Sequence, residues 1–223
     1  MPSLRARNSA WLVAERLPDP PLLGIFNEQH ATAAFVGAAI AGGARWLSLR
    51  APDLTTAQRL ALLAPLKPIC NAAGAVLSVH ADIDTAAALG LPAIHLPRDG
   101  DPRAVRERLG GTVLIGVSAH DCAEAMAAAG RSADYVTLSP LFETASKPGY
   151  APSLSAADFR AIAAALPIPV LALGGIDLAE RVAYAVSLGA AGVAVMGALG
   201  RHADPCVGIG NLLAGLTRVR GSP

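Results

Sequence analysis

Residues 169–199 read PVLALGGIDLAERVAYAVSLGAAGVAVMGAL. Two short apolar runs, PVLALGG and GVAVMGA, flank a longer stretch, AERVAYAVSLG, that carries its charges at the start and stops on Gly189. Short apolar runs bounded by glycine are the pattern of strands buried on both faces. A glycine closing the middle stretch suits the left-handed residue that ends a helix before the next strand. The unit is strand, helix, strand, and a connection of that kind joins parallel neighbours.

The same unit repeats toward the amino terminus. LLGIFN from Leu22, RWLSLR from Arg45, AVLSVH from Ala75, AIHLP from Ala93, VLIGVSA from Val113 and YVTLSP from Tyr135 bring the strand candidates to eight. Between them, TTAQRLALLAPLKPICNAA opens on the capping-box spacing of Thr55 and Gln58, and SLSAADFRAIAAAL repeats the device with Ser155 and Asp158. Pro65 and Pro68 are expected to kink or split the first of these helices. DIDTAAALG, DPRAVRERLG and CAEAMAAAG end in Gly90, Gly110 and Gly130, each read as a helix-closing glycine. Eight strands, each followed by a helix over short links, point to the α/β class and a single (β/α)8 TIM barrel rather than an open doubly wound sheet. The barrel domain is expected over residues 21–223, and residues 1–20 as an N-terminal arm or helix capping the end opposite the active face.

A chain of 223 residues, 53% hydrophobic and 16% charged, has ample apolar material for one such core. Net charge is +1 with both signs interspersed and aromatic residues are 4%, so neither a basic stripe for a phosphate backbone nor a base-stacking platform is present. Cys70, Cys122 and Cys206 are odd in number and far apart, which indicates neither a disulfide framework nor a thiolate metal site. The first residues, MPSLRARNSAWLVAERLPDPP, lack the apolar core of a signal peptide, and no apolar run suits a bilayer span. The expectation is a cytoplasmic protein without nucleic-acid or membrane partners.

In a barrel of this kind the chemistry sits on loops at the carboxyl ends of the strands, with phosphate commonly held after the seventh and eighth. There the chain reads LGGID and VMGAL, so Gly174, Gly175 and Gly197 offer backbone N–H groups that an anion can approach closely. Paired glycines can also be simple strand-to-helix turns; two such corners on adjacent strands favour phosphate. Ser118 and His120 end the fifth strand, and SPLFETASKPGYAPS after the sixth adds Thr144, Ser146 and Lys147. Hydroxyls beside an ammonium suit a second anion, although Ser118 and Thr144 taken singly read better as helix or turn caps.

Taken together, ALGLPAIHLPRDGD, IGVSAHDCAEAMAAAGRSADYVTLSPLFETASKPG, IPVLALGGI and GAAGVAVMGAL resemble the thiamin phosphate synthase and TenI family of barrels. The resemblance implies a thiamin-biosynthesis enzyme that binds a thiazole phosphate and a pyrimidine diphosphate, or pyrophosphate, and couples them. It implies that Arg50, Ser118, Thr144, Ser146 and Lys147 hold diphosphate or thiazole phosphate, and that Gly174, Gly175 and Gly197 give backbone contacts to the thiazole phosphate. The family's Gln-x-Arg-x-Lys becomes SLRAP, which keeps Arg50 but sets Ser48 and Pro52 at the other two positions. Its metal carboxylates fall on His80–Ala81 and Gly100, with Asp82, Asp99 and Asp101 as neighbours. No metal ligand is therefore assigned, and Mg2+ is left as a possible cofactor without its family ligands.

The TenI branch, a thiazole tautomerase, also lacks those carboxylates, and its Phe-Glu-Thr recurs here as Phe142, Glu143 and Thr144; its catalytic histidine, however, falls on Pro140. An isomerase would need a relocated acid or base, for which His80, His120, Glu143 and Lys147 are the candidates. His95, inside a strand, reads as readily as a hydrogen-bonded interior residue. A non-catalytic binder of thiazole phosphate or thiamin phosphate is the remaining alternative, and a homo-oligomer is compatible with each.

Overall fold

The computed structural model describes residues 16–143 and 154–220. Its eight strands are β1 (Leu22–Phe26), β2 (Trp46–Leu49), β3 (Val76–His80), β4 (Ala93–Leu96), β5 (Leu114–Ala119), β6 (Tyr135–Leu138), β7 (Val170–Ala172) and β8 (Gly192–Val195). They pair in chain order, all parallel, and β8 closes on β1. Each strand lies inside the run expected for it, so the fold is the closed (β/α)8 barrel.

The helices follow as α1 (Ala33–Ala41), α2 (Thr56–Leu63), α3 (Lys67–Ala72), α4 (Ile83–Leu89), α5 (Pro102–Leu109), α6 (Cys122–Gly130), α7 (Ala156–Ala165), α8 (Ala179–Ser187), α9 (Gly197–Arg201) and α10 (Pro205–Arg220). Thr55 and Gln58 form a full capping box at α2, a device that satisfies two orphan donors of the first turn at once. The two prolines do split this region: α2 stops before Pro65, and Pro68 sits in the first turn of α3, where its missing N–H costs nothing. Gly90 closes α4 in the left-handed region, and Gly110 and Gly189 take φ of 89° and 99°. Gly130 does not act as a cap. Helix α6 includes it, Arg131 donates back to Ala127 and Ala128, and the positive φ (71°) passes to Ser132.

Alternation along the strands divides the core. One face of each strand packs against the helices in a cluster that includes Leu47, Leu49, Val79, Ile94, Ile115 and Val136. The other face fills the barrel with Leu23, Ile25, Trp46, Ala93, Leu114, Tyr135, Leu171 and Ala194, joined by Leu17 from the segment before β1. Arg16 reaches Asp134 at 2.7 Å and the Thr112 carbonyl at 3.1 Å, so this segment lies at the amino-terminal ends of β5 and β6. Residues 1–15 of the expected arm are outside the described residues. Among the described residues, no helix is long and apolar enough to cross a membrane.

Candidate active site

Above the apolar layer the same inward alternation brings polar side chains to the carboxyl end: Ser48 and Arg50 from β2, Ser78 and His80 from β3, His95 from β4, Ser118 and His120 from β5, Thr137 and Ser139 from β6. A cavity of about 600 Å3 opens there. Its walls bring together Arg50, His80, Ser118, His120, Gly174, Gly175 and Gly197 from the sequence-derived set. Thr144, Ser146 and Lys147 lie outside the described residues. Glu143 does not join the others among the described walls. Its side chain is exposed, and its backbone carbonyl lies where a Cβ on Gly175 would come within 2.4 Å.

The two glycine corners differ from the first α-helix start after each of the other strands; α3, the second helix after β2, also lacks a side-chain cap. Helices that follow β1 to β6 are capped by Thr32, Thr55, Asp82, Asp101, Asp121 and Ser155. Helices α8 and α9, after β7 and β8, have no side-chain cap. Gly174 and Gly175 take φ of 101° and 64°, and a Cβ on either would press on Pro140 or on Phe142 and Glu143. Leu141 N–H donates to the Leu173 carbonyl at 2.9 Å, and Phe142 N–H to the Gly174 carbonyl at 3.2 Å, which ties the sixth loop to the seventh. Arg181 holds the corner from below, donating to the Gly175 carbonyl and to Asp177 while its guanidinium lies 5.1 Å from the Phe142 ring centroid.

Arg50 has no ion pair among the described residues, although its backbone N–H continues the β1–β2 ladder onto the Phe26 carbonyl at 2.8 Å. The other arginines at the rim are engaged: Arg59 with Asp82 at 2.8 Å, Arg98 with Glu124 at 3.4 Å and Arg201 with Asp177 at 3.7 Å. Sequence reasoning missed Arg59 in α2, Arg201 at the end of α9 and Arg98 in the loop after β4 as wall residues, because a lone arginine carries no motif. Burial drives the His80 pKa well below the usual imidazole value, and the nearby His95 and Arg50 add to it. His95 is pushed down to about 3 by burial and by Arg50. Both rings are neutral at pH 7. His80 is thus a weak proton acceptor, with its Nε2 lacking a hydrogen-bond partner among the described residues. The Nδ1 of His120 lies 3.0 Å from the Ser139 carbonyl, which fixes that nitrogen as the protonated one in the neutral ring.

The donor set does not suit Mg2+, which takes oxygen ligands and usually at least one protein carboxylate. Asp82 is committed as the cap of α4 and the partner of Arg59, and Asp101 caps α5. Asp99 is the one carboxylate among the described walls, and the third and fourth strands present imidazoles instead. Among the described residues no group of three or more His, Cys, Asp or Glu is placed to share a metal ion. Ser48, at the position of the family's Gln, is buried, and its hydroxyl has no partner among the described residues.

The family profile and the curated relatives agree on one family. The family profile described as thiamine monophosphate synthase matches residues 22–199. The chain is 39% identical over 169 residues to a thiamine-phosphate synthase of Laribacter hongkongensis, covering 75% of this chain and 79% of that one. It is 36% identical over 166 residues to a thiamine-phosphate synthase of Chloroflexus aurantiacus, covering 74% and 76%. Among solved structures, the thiamine phosphate pyrophosphorylase from Pyrococcus furiosus superposes with a TM-score of 0.81 at 23% identity, over 94% of this chain and all (100%) of the other, which shows the shared fold.

Proposed function

The chain belongs to the thiamine monophosphate synthase family, and from that premise we propose that it is a transferase of thiamin biosynthesis. It binds a thiazole phosphate and a pyrimidine diphosphate at the barrel mouth and couples them. The thiazole nitrogen forms a bond to the exocyclic carbon of the pyrimidine, the bond from that carbon to the diphosphate oxygen breaks, and pyrophosphate leaves with the electron pair.

The observation that carries this reading is the convergence of Arg50 and the two uncapped glycine corners on one cavity. Backbone N–H groups at Gly174, Gly175 and Gly197 face the thiazole phosphate, a small dianion that helix starts stabilise. Arg50 and Ser118 face the diphosphate, where a guanidinium without a carboxylate partner among the described residues offers a charge-assisted pair. The family resemblance assigns the same role to Thr144, Ser146 and Lys147, which lie outside the described residues. Charge on the departing pyrophosphate is balanced by these side chains, and no step is assigned to a metal.

The isomerase reading needs a base at the mouth. His80 is held neutral with a strongly depressed pKa, and Glu143 is exposed and not among the described walls, so neither favours it. The test of the coupling is incubation of the purified protein with both substrates, with and without Mg2+. Thiamin phosphate formed in proportion to enzyme is expected, and none above background at high enzyme would overturn the reading.

A further inference from the structure

His80, His95, Gly116 and Tyr135 stand side by side in the register of β3, β4, β5 and β6. Gly116 has no side chain, so the Tyr135 ring lies over it and reaches the next strand but one. Its hydroxyl is 3.1 Å from Nδ1 of His95. On the other edge of that imidazole, Nε2 is 3.0 Å from Ser118 Oγ and 3.4 Å from Thr137 Oγ1. Ser118 and the buried His95 both belong to the cavity wall, while Tyr135 and Thr137 are buried beneath it.

We propose that Tyr135 and His95 form a fixed relay that holds Ser118 as a hydrogen-bond donor aimed at the phosphate oxygens of the bound diphosphate. Two arrangements of protons are possible for a neutral His95 ring. With the proton on Nδ1, the ring donates to Tyr135, whose own hydroxyl proton then has no acceptor among the described residues. Ser118, the nearer of the two hydroxyls at 3.0 Å against 3.4 Å for Thr137, then turns its proton onto the Nε2 lone pair, which leaves Thr137 without an acceptor among the described residues and gives the cavity only oxygen lone pairs. With the proton on Nε2, Tyr135 donates to Nδ1, the ring donates to Ser118, and one hydroxyl proton, that of Thr137, is left over. Leaving a buried donor unsatisfied costs free energy comparable to a lost hydrogen bond, so the second arrangement is preferred. It frees the Ser118 proton for the cavity and suits an anion.

The burial that depresses the His95 pKa and raises that of Tyr135 keeps both groups neutral, as the relay requires. The same arrangement makes His95 a donor to Ser118 and leaves it no lone pair with which to take the serine proton. Ser118 is thus a binding group rather than a nucleophile, and His95 and Tyr135 are positioning residues. This inference rests on the reading of the mouth as a diphosphate site.

The test combines long-range proton–nitrogen NMR of histidine-labelled protein with calorimetric titration of inorganic pyrophosphate. His95 is expected in the Nε2–H form. Ser118→Ala is expected to weaken pyrophosphate binding by about tenfold. Tyr135→Phe is expected to mix the His95 tautomers and weaken binding roughly two- to tenfold, with no further loss when added to Ser118→Ala. An Nδ1–H ring in the unaltered protein, or unchanged affinity in Tyr135→Phe, would overturn the relay. Protein that shows the Nε2–H ring but takes up no pyrophosphate would overturn the diphosphate reading and leave the tautomer assignment standing.

Discussion

A Cβ built on Gly116 would lie 2.0 Å from Cζ of Tyr135, so the phenol fills the volume that any other residue on β5 would need. The glycine φ is ordinary for a strand, so the requirement is for space and not for backbone freedom. Gly116→Ala should therefore destabilise the protein by about 1–3 kcal/mol, the usual cost of overpacking. Gly37, inside α1, has nothing within 4 Å of its virtual Cβ, and Gly37→Ala should gain up to about 1 kcal/mol from helix propensity. Urea unfolding of the two variants checks this, and equal midpoint shifts would show that the ring is not held against β5.

Gly175 and Gly74 share nearly the same left-handed backbone, with φ of 64° and 62°. They differ in their surroundings: a Cβ on Gly175 meets the Glu143 carbonyl at 2.4 Å and Phe142 Cβ at 2.8 Å, whereas one on Gly74 meets nothing. Gly74→Ala should cost about 1 kcal/mol of backbone strain alone. Gly175→Ala should cost more and should also lower thiamin phosphate formation by displacing the link between the sixth and seventh loops. Equal unfolding midpoints with full activity in both variants would remove the corner from the site.

The barrel was legible because each strand is an apolar run bounded by glycine, proline or a helix cap, and because Pro65 and Pro68 announce the break between α2 and α3. The place of Arg50, directly after β2, and of Gly174–Gly175 and Gly197, each set off from a strand by one residue, on the cavity wall was also legible, while their roles there belong to the proposal. The relay was not. Tyr135 reads as one more apolar strand residue and Gly116 as a weak point in a strand. Only the register that sets His95, Gly116 and Tyr135 in one row gives them a joint meaning. Gly130 misled for a local reason: α6 ran one residue further, and Ser132 accepted the left-handed turn.

Asp82 accepts from Thr85 N–H at 2.9 Å, from the Thr85 hydroxyl at 2.8 Å and from Arg59 at 2.8 Å. Burial pushes its pKa up, but these hydrogen bonds together outweigh burial and hold it below the usual carboxylate value. A carboxyl depressed in the folded state stabilises fully above its unfolded pKa, and that contribution fades as pH falls through the folded value. Asp82→Asn should thus cost about 1–2 kcal/mol at neutral pH. The gap between the variant and the unaltered protein should narrow on acidification below about pH 4. Chemical unfolding across that range reads the gap directly, and a constant gap would show that the carboxylate charge is not what α4 uses.

Arg50 lowers the proton affinity of the half-buried His80 and the buried His95, although desolvation is the larger cause at each. Arg50→Ala should raise the His95 pKa from about 3 while leaving it below the ordinary imidazole range. The same variant should weaken pyrophosphate by about tenfold or more, and Arg50→Lys should recover the charge without the bidentate geometry. NMR titration and calorimetry read the two effects separately. Unaltered pyrophosphate affinity in Arg50→Ala would remove the guanidinium from the diphosphate site.

Asp99 is the remaining test of how charge is balanced at the mouth, because it is the one carboxylate among the described walls and Asp82 and Asp101 are committed to helix starts. A lone carboxylate beside two imidazoles is a poor cradle for Mg2+, which prefers an octahedron of oxygens. If Arg50 and the glycine corners carry the neutralisation, Asp99→Asn should change thiamin phosphate formation by less than about threefold, as an ordinary rim substitution does. A carboxylate that ligates an essential ion should instead cost about a hundredfold or more, since even groups that only support such ligands cost ten- to a hundredfold. Rates for Asp99→Asn measured across a Mg2+ series separate the two: a large loss recovered by excess Mg2+ would place an ion on Asp99 and transfer part of the neutralisation away from Arg50.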